Sequence, residues 1–195
     1  MINSSIKQDI IPIAFLTIIV CVSVIFLYTT NSVTEEYIEE SKNEAVQAML
    51  NKQFPEMDDY SYDEELDLYT VFLDGNNIGF AFVAVASGYG GPIELIISLE
   101  SSLLFDDEIT IHGLSVVSHS ETPGLGEKIV EASFSDQFTG VLVDDVALTK
   151  DGGSIDAITG ATVSSSAVVE TVFTTVTEKA RIIRESVAVE TEGGT

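Results

Sequence analysis

The sequence predicts an α+β protein: a single N-terminal transmembrane helix followed by one domain with a mainly antiparallel sheet and flanking helices. Three observations carry this reading. Residues Ile10 to Tyr28, IIPIAFLTIIVCVSVIFLY, contain no charge. Between Leu68 and His119 the apolar residues follow the short period of strands and are interrupted by Gly, Asp and Asn turns. On either side, from Ser32 to Gln53 and from Ser164 to Arg184, apolar residues recur at helical spacing, and a run of strands followed by a helix marks an α+β arrangement.

A helix of about 20 residues crosses the roughly 30 Å hydrocarbon core of a bilayer, and residues 10–28 meet that length. Pro12 falls in the first turn, where a missing N–H costs little, and Tyr28 sits where an interfacial aromatic belongs. The stretch is longer than the apolar core of a signal peptide and no A-x-A-like site follows it, so an uncleaved anchor is expected. Lys7 precedes it and the acidic NSVTEEYIEES follows it. That asymmetry places residues 1–9 in the cytoplasm and the domain outside, in a protein crossing the cell membrane once. Cys21, the single cysteine, lies within the anchor as a small hydrophobe. Intramolecular disulfides, Cys-x-x-Cys-His haem attachment and thiolate-held iron–sulfur clusters are thereby excluded.

Residues 29–60 read as a connecting helix and an acidic loop. Ser32 and Glu35 have capping-box spacing, and Val33, Tyr37, Ile38, Ala45, Val46, Met49 and Leu50 carry the helical period to about Gln53. Pro55 and EMDDYSYDEE mark the boundary loop. The domain, 61–184, begins with a hairpin in which LYTVFL and IGFAFVAVA flank DGNN. PIELIISLE, EITIHGLSVVSH and GVLVDDVAL are three further strands. The helix from Ser164 to Arg184 gathers Lys179, Arg181 and Arg184 near its C-terminus, where the macrodipole favours cations. Residues 185–195 read as a disordered tail.

The chain carries 32 acidic residues against 8 basic ones, a formal net charge of −24. Nucleic-acid binding needs clustered Lys and Arg and is excluded. The acidity is consistent with solubility, a high-salt host or a basic partner.

Three polar stretches interrupt the apolar pattern. SGYGGP, Ser87 to Pro92, places three glycines where positive φ and close approach to the backbone are possible, but lacks the lysine and hydroxyl of a phosphate loop. HSETPGLGEKI, His119 to Ile129, follows a strand, and Pro123-Gly124 is a natural type II turn centre. His112 and His119, seven apart, face opposite sides of a continuous strand, so a shared metal site is not expected. No G-x-S-x-G nucleophile elbow occurs. The third stretch, DAITGATVSSS from Asp156 to Ser166, precedes the last helix. Thr162 or Ser164 is placed to cap it, and the helix N-terminus with its small residues suits a phosphate.

Taken together, these stretches resemble the FMN-binding domain family. DAITGAT matches D-x-x-[ST]-G-A-T, in which the last threonine is joined to FMN by a phosphoester bond, and SETPGLGEKI and GYGGPIEL resemble the other two hallmark segments in the same order. Within the family, a short chain with one N-terminal anchor is most like the G subunit of the Rnf electron-transport complex, which is related to the C subunit of sodium-translocating NADH:quinone reductase. The resemblance implies covalent FMN at Thr162, with Asp156, Thr159, Gly160 and Ala161 as the recognition motif for a separate flavin transferase. It implies that Gly88, Tyr89, Gly90, Gly91, Glu121, Thr122, Pro123, Gly124, Leu125 and Gly126 line the flavin side, and that Ser164 and Ser165 join the cofactor-binding set. Val163 and Ser164 follow the motif as the family's residues commonly do. Phe134 stands where an aromatic, often Trp, is common.

The function so implied is electron relay within an ion-translocating complex, with the other subunits, the membrane, the transferase and a redox carrier protein as partners. Set against it are a non-redox binding or scaffold domain outside the membrane, the FMN subunit of another respiratory complex, and a stand-alone flavin reductase. The last lacks an acid–base pair beside the motifs.

Overall fold

The computed structural model describes residues 15–28, 44–104 and 108–192, which fall in two compact units, Met1–Ala45 and Val46–Thr195. In the first unit residues 15–28 are helical with exposed side chains, Cys21 among them. No described helix is long and apolar enough to cross a membrane. Residues 1–14 and 29–43, which include part of the expected anchor and the expected helix start at Ser32, lie outside the described residues.

The second unit is built on a five-stranded antiparallel meander in which each strand pairs with its neighbour in sequence. The strands are β1 (Asp59–Asp63), β2 (Leu68–Leu73), β3 (Asn76–Ser87), β4 (Pro92–Glu100) and β5 (Ile111–His119). The β2–β3 turn falls within DGNN as expected but is only two residues long, since Asn76 and Asn77 already belong to β3: Asp74 and Gly75 both have positive φ, 52° and 76°, the backbone a type I′ turn demands.

Both faces of the sheet are covered, which is why β4 is buried almost end to end. Ile93, Leu95, Ile97 and Leu99 belong to the larger core, shared with Phe134, Phe138 and the helix Thr162–Glu192. That helix buries Val168, Val172, Val176, Ala180 and Ile183, a stripe at intervals of three and four residues. Ile96 belongs to a second core with Ala81, Val71 and the helical residues around Val46, Leu50 and Phe54. Phe54 lies over Gly79, where an added Cβ would meet its ring at 2.6 Å. His112 stacks on Phe54, with centroids 4.4 Å apart and planes 9° apart, and its Nε2–H donates to the Gln53 carbonyl at 2.8 Å.

Three expectations are corrected. The acidic stretch after Pro55 is not wholly loop, because Asp59–Asp63 forms edge strand β1. Tyr62 packs at a 32° tilt against its cross-strand partner Tyr69, with centroids 4.6 Å apart, and the flanking carboxylates remain in water, a common way to protect an edge. Tyr62 Oη donates to Asp67 Oδ1 at 2.9 Å, and that bond, then burial, then the Asp67 charge push the Tyr62 phenol up to about 12. Burial is the first cause raising Tyr69. GVLVDDVAL is not a strand; it makes isolated bridges at Leu142 and Leu148, with a 3-10 turn over Val143–Asp145 between them that turns Val143, Val146 and Leu148 into the core. The tail expected to be disordered continues the last helix to Glu192, for the sequence offers no breaker there and Arg181 pairs with Glu185 at 2.8 Å.

Candidate cofactor site

The three polar stretches meet at one end of the sheet. Gly88 to Gly91 connects β3 to β4, closed by the Gly88 N–H donating to the Gly91 carbonyl at 2.9 Å. The second stretch leaves β5 and forms the expected type II turn: Gly124 has φ 74° and the Leu125 N–H donates to the Thr122 carbonyl at 3.2 Å. The third makes a similar turn, with Gly160 at φ 83° and the Ala161 N–H bonded to the Ile158 carbonyl at 3.0 Å.

The last helix then begins at Thr162. Capping does not follow the expectation. Ser165 holds the turn instead, its Oγ accepting from the Ile158 N–H and donating to the Ala161 carbonyl, both at 3.0 Å. Ser164 turns away from the helix end to donate to Glu121 Oε2 at 2.8 Å. Thr162 is exposed, at a helix end whose first N–H groups have no intrahelical acceptor.

Residues of all three stretches line a cavity of about 330 Å³: Tyr89 from the first, Glu121, Thr122, Leu125 and Gly126 from the second, and Gly160 to Ser164 from the third. Tyr89, Leu125 and Val163 are 76%, 47% and 58% exposed around it, apolar surface that a flat ring would cover. A hydroxyl at a helix start beside such walls fits a phosphorylated flavin: Thr162 would hold the phosphate end and Tyr89, Leu125 and Val163 the ring.

Other predicted residues shape this site by their size or their position beside it. Gly88 and Gly126 are small because of Glu121. A Cβ at Gly88 would lie 2.0 Å from Glu121 Oε1, and one at Gly126 would lie 2.1 Å from Oε2. A Cβ at Gly90 would meet the Ser120 carbonyl at 2.3 Å, and one at Gly91 the Ser120 side chain at 2.8 Å. Pro123 and Gly124 form the exposed apex of their turn. Asp156 and Thr159 line a second hollow of about 490 Å³, with Lys128, Gln137 and the buried Phe134. The motif is therefore divided between two cavities. Phe134 packs edge-on against Phe138 at 5.6 Å and does not line the first cavity.

Three supporting residues escaped the sequence reading. Gln137 Oε1 accepts from the Asp156 N–H at 2.7 Å and Thr149 Oγ1 donates to Asp156 Oδ1 at 2.9 Å, contacts for which the sequence carries no signal. Val163, adjacent to the motif, is a cavity wall. His112 lies against Gln53 and Phe54, and His119 Nδ1 accepts from the Glu121 N–H at 3.2 Å. Among the described residues no group of three or more His, Cys, Asp or Glu side chains is placed to hold a metal ion.

Fold and site define a class that comparison with known proteins makes specific: residues 88–177 match the family model of the FMN-binding domain. The G subunit of the ion-translocating oxidoreductase complex of Vibrio atlanticus is 30% identical over 181 residues, covering 80% of this chain and 83% of that protein. The G subunit of the same complex from Methanosarcina acetivorans is 43% identical over 102 residues, spanning about half of each chain, 52% in both cases. The solved C subunit of the Na(+)-translocating NADH-quinone reductase of Parabacteroides distasonis aligns at 24% identity and TM-score 0.46, covering 59% of this chain and 60% of that one. The chain belongs to the family of G subunits of ion-translocating oxidoreductase complexes.

Proposed function

We propose that this chain is the FMN-carrying electron-transfer subunit of an Rnf-type ion-translocating complex, with FMN joined by a phosphoester to Thr162. The observation that carries the reading is the position of Thr162: first residue of the last helix, exposed, and on the wall of a cavity where all three motif stretches meet.

A bound flavin supplies the redox chemistry, accepting and passing on electrons, while the protein supplies position and electrostatics. Thr162 presents its hydroxyl where helix N–H groups favour phosphate. Tyr89, Leu125 and Val163 exclude water from the ring faces, and the two glycine turns hold Leu125 against Gly160, where a Cβ would meet Leu125 Cδ2 at 3.2 Å. Asp156 and Thr159, on the neighbouring hollow, are the part of the motif left for the flavin transferase to read. Residues 10–28 anchor the protein in the cell membrane, with residues 1–9 cytoplasmic and the FMN domain on the outer side. Its partners are the other subunits of the complex and a redox carrier protein.

The test is to co-express the full chain with an active flavin transferase, denature it, and compare wild type with Thr162→Val for flavin fluorescence in the protein band. Fluorescence surviving denaturation in wild type and absent from the variant is expected. A dark wild-type band, with the transferase labelling a control substrate, overturns the covalent assignment.

A further inference from the structure

We propose that Glu121 is a positioning residue that also sets the redox potential of the site: its carboxylate ties the three motif stretches together and carries an unneutralised negative charge on the cavity wall. This inference rests on the reading that the cavity holds FMN.

The geometry is specific to this side chain. Glu121 is only 6% exposed yet lines the cavity. Oε1 accepts the Gly90 N–H at 3.1 Å, and Oε2 accepts the Ser164 hydroxyl at 2.8 Å. One carboxylate thus bonds the first stretch to the third while belonging to the second. The missing Cβ atoms of Gly88 and Gly126 make its room, since each would fall about 2 Å from a carboxylate oxygen, at 2.0 Å and 2.1 Å. Two glycines that look like openings for a ligand are instead the seat of a buried acid.

Its compensation comes from dipoles. Among the described residues no Lys, Arg or His side chain forms an ion pair with the Glu121 carboxylate, whose partners are one N–H, from Gly90, and one hydroxyl, from Ser164. Such groups hold a carboxylate in place without cancelling its charge. Away from bulk water that charge acts strongly at short range, and it opposes any added electron in the same cavity. The carboxylate therefore holds the flavin potential below the value the same pocket would give without it.

Two substitutions separate charge from position. Glu121→Gln keeps size and both bonds: its Oε1 accepts from Gly90, and its amide donates to Ser164, whose hydroxyl rotates to accept. Ser164→Ala keeps the charge and removes a dipole that offsets it. The experiment is spectroelectrochemical titration of the flavin-loaded full chain at fixed pH, with loading measured in the denatured protein band. The expected result, read on the flavin-bearing fraction of each protein, is an upward shift of the midpoint potential in Glu121→Gln and a downward shift in Ser164→Ala. A purely structural role moves both variants the same way or neither, and either outcome overturns the proposal. If Glu121→Gln does not accumulate, the sign of the shift in Ser164→Ala decides alone. A loaded wild type with unmoved variants sinks this inference only, whereas a wild type without flavin sinks the parent reading and this one with it.

Discussion

Gly126→Ala tests the packing of the site through Glu121, the one side chain an added Cβ would meet. All three close neighbours of an added Cβ belong to one side chain: Glu121 Oε2 at 2.1 Å, Cδ at 2.9 Å and Cβ at 3.0 Å. Ordinary contact would require the carboxylate to move by roughly 1 Å, which breaks its 2.8 Å bond from Ser164. A flexible side chain would yield cheaply, but Glu121 is buried and its other oxygen is held by the Gly90 N–H at 3.1 Å. Overpacking of this kind costs roughly 1–3 kcal/mol, and loss of a charge-assisted hydrogen bond adds about 1.5 kcal/mol or more. For a unit of this size each kcal/mol lowers Tm by roughly 2–4 °C, so a fall of about 5–18 °C is expected in calorimetry or thermal unfolding. The decisive assay is the double-mutant cycle with Glu121→Ala, which removes the Oε2 and Cδ contacts. Gly126→Ala should cost less than about 1 kcal/mol in that background. Equal cost in both backgrounds would refute the argument that Glu121 is what forbids a side chain at 126.

The remaining predictions concern the rest of the sheet. Gly79→Ala places a Cβ 2.6 Å from the Phe54 ring and 2.8 Å from the Leu99 carbonyl, so it should destabilise the domain by roughly 1–3 kcal/mol in urea. Tyr62 holds its proton more tightly folded, near 12, than at the ordinary value of 10.0, so its contribution is fully present below pH 10 and is lost as pH rises towards 12. Tyr62→Phe should flatten the fall of stability in that window, seen as a wild-type-minus-variant difference in urea midpoint that shrinks with pH. At neutral pH the substitution should cost roughly 0.5 kcal/mol, the low end for a hydrogen bond, because Tyr62 is 46% exposed.

Much of the architecture could be read from the chain. Strands β2 to β5 follow from alternation bounded by turn residues, and the Pro123-Gly124 turn has the geometry its dipeptide dictates. The meeting of Tyr89, Leu125 and Thr162 at one cavity agrees with the motif segments. What escaped depends on residues far apart in sequence. The pinning of Asp156 by Gln137 and Thr149 is a tertiary accident of side-chain reach. Glycines 88 and 126 look like ligand openings in one dimension, and only the folded chain shows that Glu121 fills the space beside both. GVLVDDVAL failed because apolar residues two and three apart serve a 3-10 turn as well as a strand. Strand β1 escaped because acidic residues mark both loops and guarded edges.

The meander has a consequence for the order of events during folding. Every strand pairs with the one made just before it, so the sheet is assembled from local contacts, which form quickly and can form as the chain emerges from the ribosome. The cavity cannot. Its walls come from Tyr89, from the loop at Glu121 and from a helix that starts only at Thr162, and the last of these must be synthesised and docked before the pocket has a third side. The sheet is thus a scaffold that can stand before the pocket is complete, and on the proposed reading attachment at Thr162 belongs to the end of biogenesis.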